Sequence, residues 1–121
     1  MQDRRRVLIV DDEPSMGRTL AIALGPEFDV EVATSGEDAL AILDRDESFE
    51  VILCDLMMPG VSGMDVHERL AAEHPELAAR MVFMTGGAYT PRARNFLAEV
   101  APRCLQKPFF IDDVRAAVGV R

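Results

Sequence analysis

The chain has 121 residues and a formal net charge of −8, from 21 Asp plus Glu against 13 Lys plus Arg. That length suits one domain spanning 1–121, and a 49% hydrophobic content excludes wholesale disorder. The negative charge argues against direct nucleic-acid binding, and the aliphatic runs VLIV (7–10) and VILC (51–54) fall far short of the roughly 20 apolar residues of a membrane span.

Arg4, Arg5 and Arg6 precede too few apolar residues for a signal peptide. With only two cysteines, the expected compartment is the cytoplasm. Twelve of the basic residues are Arg and one is Lys, Lys107. A bias toward Arg codons accounts for the twelve and leaves the position of Lys107 to be explained.

The run at 7–10 predicts a strand buried on both faces. Pro14 then suits a first helical turn, Met16, Leu20 and Leu24 recur at helical spacing, and Gly25-Pro26 ends the helix. Asp29-Val30-Glu31-Val32 alternates, as an edge strand does. Ser35-Gly36-Glu37-Asp38 reads as a helix cap, followed by Leu40 and Leu43. A second buried strand is expected at 51–54, a turn at Pro59-Gly60, and a helix after Ser62-Gly63 carrying Val66 and Leu70. MVFM (81–84) predicts a fourth strand, followed by a Gly86-Gly87 loop. Thr90-Pro91 caps a helix with Ala93, Leu97 and Val100 facing inward. CLQ (104–106) is a short fifth strand. Asp112 and Asp113 open a last helix with Val114, Ala117 and Val118 inside.

Five βα units imply an α/β fold with a parallel sheet covered on both sides. Five strands fit the doubly wound order 2-1-3-4-5 better than a barrel, which needs about 250 residues. Ligands in such sheets sit beyond the carboxyl ends of the strands. Asp11, Asp12 and Glu13 follow the first strand, Asp55 the third, Thr85 the fourth and Lys107 the fifth. The proposed order makes these four strands neighbours. A lone Asp after a strand is commonly a turn or cap residue. Three carboxylates about 5 Å apart, however, repel by roughly 3 kcal/mol per pair at an effective dielectric of 20. A cap needs no such charge, whereas a hard divalent cation does, and an open oxygen-rich site favours Mg²⁺ shared with phosphate. A carboxylate nucleophile, a Lys and a hydroxyl then suggest phosphoryl chemistry. Neither GxxxxGK[ST] nor GxGxxG is present to support nucleotide or dinucleotide binding.

The four segments VLIVDDEP (7–14), VILCDLMMPGVSG (51–63), VFMTGG (82–87) and LQKPF (105–109) together resemble the receiver domain of two-component response regulators. The resemblance covers essentially the whole chain and implies a flavodoxin-like (βα)5 fold. It implies Asp55 as phosphoacceptor, with Asp11 and Asp12 binding Mg²⁺ and the Met57 backbone carbonyl completing the protein's share of the coordination. It implies Thr85 as the switch hydroxyl, Lys107 as the phosphoryl partner, and a cis Lys107–Pro108 bond. The partner implied is a histidine kinase or phosphotransfer protein whose phospho-His supplies the phosphoryl group. Thr85 and its loop would then move, altering the face built by the helix after Thr90, the fifth strand and the last helix. An in-line water would reset the state. Such a switch turns over no external substrate.

Cys104 departs from the family pattern, which places Tyr or Phe there. Tyr89 and Phe109 are candidates to replace that ring, and each reads equally as an ordinary loop or packing aromatic. Residues 83–110 are most similar to receivers joined to hybrid sensor histidine kinases, so a free-standing regulator and a hybrid-kinase module both fit. Self-association is expected to be weak or phosphorylation-dependent.

The rival functions are an Mg²⁺-dependent phosphatase of the haloacid-dehalogenase type, which usually carries DxD after its first strand, and a phosphorylation-independent interaction domain, favoured only by Cys104. The remaining expectations are structural. Cys54 and Cys104, two strand spacings or about 9.6 Å apart, are read as buried free thiols. His67 and His74 are read as solvated positions on the third helix, with no zinc spacing. Met57 and Met58 border the site, Met57 either screening water or simply packing or exposed. Arg92 and Arg94 divide evenly between a solvated face and a partner contact.

Overall fold

The computed structural model describes residues 4–87, 90–100, 103–107 and 111–119. Its elements are β1 (Arg5–Val10), α1 (Pro14–Leu24), β2 (Phe28–Ala33), α2 (Gly36–Arg45), β3 (Val51–Asp55), α3 (Gly63–Glu73), α4 (Pro75–Ala78), β4 (Met81–Thr85), α5 (Pro91–Val100), β5 (Cys104–Gln106) and α6 (Ile111–Ala117). The strands form one parallel sheet in the order β2-β1-β3-β4-β5, as the sequence predicts.

Period-two alternation splits each central strand between two cores. Leu8, Ile52, Cys54 and Phe83 face one side, where α2, α3, α4 and α5 supply Leu43, Val66, Leu77 and Ala93. Val7, Ile9, Leu53 and Met84 face the other, against Leu20 and Leu24 of α1 and Val114 of α6. The helix signals act as expected. Pro14 occupies the first turn of α1, and the Ser35 side chain accepts from the Asp38 N–H. Gly60 takes a left-handed φ of 74° in the turn after Pro59.

Several expectations need correction. The one-turn α4 was not anticipated, although Pro75 at its first position was a legible start signal. Cys104 is half-buried rather than buried; it sits on an edge strand. Both thiols are free. His67 is half-buried rather than solvated, because its ring meets Phe83 and Phe96 at 5.8 and 5.2 Å between α3, β4 and α5. His74 lies between α3 and α4, half-buried, with Glu47 Oε2 at 3.4 Å from Nδ1. Arg92 is exposed and bridges to Asp65 and Glu68 of α3, contacts that the sequence reading did not include. Tyr89, Pro108, Phe109, Phe110 and the Val100 side chain, with the expected cis bond, lie outside the described residues.

The amino ends of the strands carry a feature the sequence reading missed. Arg4 donates to the carbonyls of Gly25 and Phe28, Arg5 to Val118 and Gly119, Arg80 to Glu47 and Phe49, and Arg103 to Ala78 and Met81. Each guanidinium joins two carbonyls, Arg5 through both terminal nitrogens and the others through one; most of these carbonyls lie at or just beyond a helix end, where they lack intrahelical partners. Arg6 pairs with Asp29, Glu31 and Asp46 and lies over the Phe49 ring.

Candidate functional site

At the opposite pole the strand order gathers the expected polar residues. Val10 pairs with Cys54, Asp55 with Met84, and Thr85 with Gln106. Asp11, Asp55, Thr85 and Lys107 therefore end four adjacent strands. Backbone bonds hold the strand exits: Leu56 N–H to Met84 O at 2.8 Å, and Lys107 N–H to Thr85 O at 2.7 Å.

Ligand atoms from Asp11, Asp12 and Asp55 all lie within 4.8 Å of one another. Asp11 is 1% exposed and Asp55 8%, while Asp12 is exposed. Lys107 Nζ stands 3.2 Å from Asp11 Oδ2 and 3.7 Å from Asp55 Oδ2. The other Asp11 oxygen accepts from the Glu13 N–H at 2.9 Å. Three carboxylates against one ammonium leave a cluster of formal charge −3 + 1 = −2. The Asp55 carboxyl registers this environment. It is pushed up from 3.8 to about 6, chiefly by burial, with Asp11 and Asp12 adding to the rise and Lys107 and a Met57 backbone hydrogen bond opposing it. A donor set made only of oxygens, two of its carboxylates buried and one open to solvent, fits a hard divalent cation.

Thr85 is 2% exposed, and its Oγ1 accepts from the Gly87 N–H at 3.3 Å. Met57 is 39% exposed, whereas Met58 belongs to the core. Cys54, beside Asp55, has its thiol pushed far up by burial and then by Asp55 and Asp11, which leaves it unreactive.

The seating of α3 was missed. Gly63 N–H donates to Leu56 O at 2.9 Å, and a Cβ on Gly63 would lie 2.5 Å from the Asp55 carbonyl oxygen. Ser62 and Asp65 complete a capping box at this helix start. The S-x-x-D spacing was the available signal. Two further carboxylate groups surround His74, one with Asp44 and Glu73 and one with Glu47 and Glu76. Their carboxylates are exposed, and Arg69 already pairs with Asp44 and Glu73.

The fold and this site define a response regulator receiver domain. A family model of that description matches residues 7–119, and the chain belongs to that family. Among curated relatives, the DNA-binding response regulator MtrA of Mycolicibacterium smegmatis is 34% identical over 119 residues, covering 98% of this chain and 50% of that protein. The transcriptional regulatory protein TrcR of Mycobacterium tuberculosis is 31% identical over 112 residues, covering 92% and 42%. The chain thus spans about half the length of the curated relatives it matches. The solved FixJ-N structure superposes with a TM-score of 0.80 at 29% identity, covering 98% of this chain and 92% of that one. A CheY-like receiver domain of Methanospirillum hungatei gives 0.83 at 23% identity, covering 96% and 91%, a likeness of fold. Members of this family act as phosphorylation-dependent signalling switches in two-component systems. Among the described residues, no helix is long and apolar enough to cross a membrane.

Proposed function

We propose that Asp55 accepts a phosphoryl group from the phospho-histidine of a histidine kinase or phosphotransfer protein, in an Mg²⁺-dependent reaction. The observation that carries this reading is the convergence of Asp11, Asp12, Asp55 and Lys107 beyond the carboxyl ends of the sheet. Asp11, Asp12, Asp55 and the Met57 carbonyl would hold the cation, which supplies charge neutralisation for the phosphoryl oxygens. An Asp55 oxygen attacks phosphorus, the phosphorus–nitrogen bond breaks, and the imidazole leaves with the electron pair. Lys107 carries a compact positive charge to the same oxygens. Thr85 turns its hydroxyl from the Gly87 N–H to a phosphoryl oxygen and draws the following segment toward Asp55. The face of α5, β5 and α6 changes as a result. Water attacks the acyl phosphate in line, breaking the bond to Asp55 and restoring the carboxylate.

The DNA-binding role named for MtrA belongs to a protein about twice as long. With a net charge of −8, the residues here are assigned signalling and not nucleic-acid contact. The domain works in the cytoplasm, as a free-standing regulator or as the receiver of a hybrid sensor kinase, and self-associates at most weakly or on phosphorylation. Incubation with a small phosphodonor and Mg²⁺ should add the mass of one phosphoryl group, and Asp55→Asn should abolish the gain. An unchanged mass for the wild-type chain would refute the reading. Sustained turnover of a phosphomonoester would replace it with a phosphatase.

A further inference from the structure

The helix that follows Thr85 rests on the core through Ala93 and Leu97 and makes two further contacts about one turn apart. The first is polar. Arg92 Nη2, in the first turn of α5, donates to Asp65 Oδ1 at 3.0 Å and to Glu68 Oε2 at 2.8 Å, both on α3. The other Asp65 oxygen accepts from the Ser62 N–H at 2.9 Å within the capping box. That helix start sits on the Asp55–Leu56 backbone through Gly63. Arg92 therefore connects the chain leaving Thr85 to the chain leaving Asp55.

The second point is aromatic. Phe96 meets Phe83 edge-on at 4.9 Å and 89°, and His67 at 5.2 Å and 78°. Phe83 lies two residues before Thr85, so both side chains face the same side of β4. Phe83 also pairs in register with Cys104. Cys104 carries no ring, and the aromatic contact with α5 comes from Phe96 instead. Edge-to-face packing is a preferred geometry for aromatic pairs, and it anchors the middle of α5 on β4.

We propose that α5 tilts on Phe96 as a lever and that Arg92 is its latch, a positioning residue that sets how readily the domain switches. The inference rests on the proposed function, in which phosphorylated Asp55 draws the Thr85 segment inward. Any displacement of the first turn of α5 relative to α3 departs from the 3.0 and 2.8 Å geometry of the two Arg92 bonds. The latch thus favours the unphosphorylated arrangement. Exposed ion pairs of this kind weight such an equilibrium by roughly two- to fivefold.

The test compares wild type with Arg92→Gln, Glu68→Gln, the double variant, and Arg94→Gln as a control on the same helix. Each is titrated with the phosphoryl mimic beryllofluoride in the presence of Mg²⁺ while α5 amide resonances are followed. Phosphoryl mass gain is measured separately. Arg92→Gln should bind the mimic roughly two- to fivefold more tightly, with its free-state α5 resonances displaced toward the bound positions. Adding Glu68→Gln to it should change little further, and Arg94→Gln should match wild type. Unchanged affinity and resonances in Arg92→Gln, with the mass gain intact, would overturn the latch alone. So would two single effects that simply multiply in the double variant. Failure of wild type to gain the phosphoryl mass would overturn the proposed function and the latch with it.

Discussion

Replacing the proposed phosphoacceptor by its neutral isostere should make the domain more stable, in a pH-dependent way. Burial pushes the Asp55 carboxyl up to about 6 in the fold, with Asp11 and Asp12 contributing and Lys107 opposing, against an ordinary 3.8. The raised folded value means that the folded state binds the proton more tightly than the unfolded chain does. Stability therefore falls as pH rises from about 4 to about 7, and the penalty is complete above that window. A pKa difference of about two corresponds to about 3 kcal/mol. Asp55→Asn removes the charge, keeps an oxygen to accept the Met57 backbone bond, and turns an amide donor toward Asp11. In chelator, its melting temperature should equal that of wild type near pH 4 and exceed it by about 10 °C near pH 7.5. Divalent cation should raise the wild-type value and narrow the gap, since a ligand stabilises the state that binds it. Thermal unfolding followed by circular dichroism across this pH range is sufficient. An Asn variant no more stable than wild type at pH 7.5, or a gap independent of pH, would refute the electrostatic reasoning.

Three further predictions concern a helix seat beside the site, the far pole of the sheet and the switch hydroxyl. Gly63→Ala places a methyl 2.5 Å from the Asp55 carbonyl oxygen; it should cost about 1–3 kcal/mol in denaturant unfolding and slow phosphorylation of the displaced Asp55. Arg103→Lys replaces a rigid guanidinium whose Nη1 bonds both the Ala78 and the Met81 carbonyls. It should lower stability by about 1 kcal/mol without altering phosphorylation measured by mass. Thr85→Ala should leave the mass gain intact, yet remove the response of α5 amides to beryllofluoride; a preserved response would show that the hydroxyl is dispensable for switching.

Strand order and site were legible for the same reason. A buried parallel strand advertises itself as an aliphatic run, and the first charged residue after it marks the carboxyl end of the sheet, so VLIV followed by Asp11 and VILC followed by Asp55 carry fold and site together. The misread positions depend on partners distant in sequence. His67 looks solvated beside Glu68 and Arg69 until α5 brings Phe96 over it. Arg92 looks free until α3 brings Asp65 and Glu68 beneath it. Local pattern reports which face of a helix is polar. It does not report whether another helix lies across that face. The one-turn α4 is a different case, since Pro75 is a helix-start signal with no periodic apolar run behind it.

The choice between Arg and Lys divides along the axis of the sheet. Codon bias is an adequate account of Arg18, Arg45 and Arg94, but not of the guanidinium groups at the amino ends of the strands. Arg4, Arg5, Arg80 and Arg103 each join two carbonyls. Arg5 does so with both terminal nitrogens, the others with one, and a rigid planar group with fixed donor directions loses less freedom in that task than an ammonium on a flexible stem. At the carboxyl ends the requirement reverses. Lys107 must stand 3.2 Å from Asp11 and 3.7 Å from Asp55 while leaving room for a phosphoryl group between them. A wide guanidinium paired with both carboxylates would occupy the acceptor oxygens themselves. The proposed chemistry therefore asks for a point charge at this position, and the fold asks for rigid planar donors at the other pole. The single Lys among thirteen basic residues stands where those two demands differ.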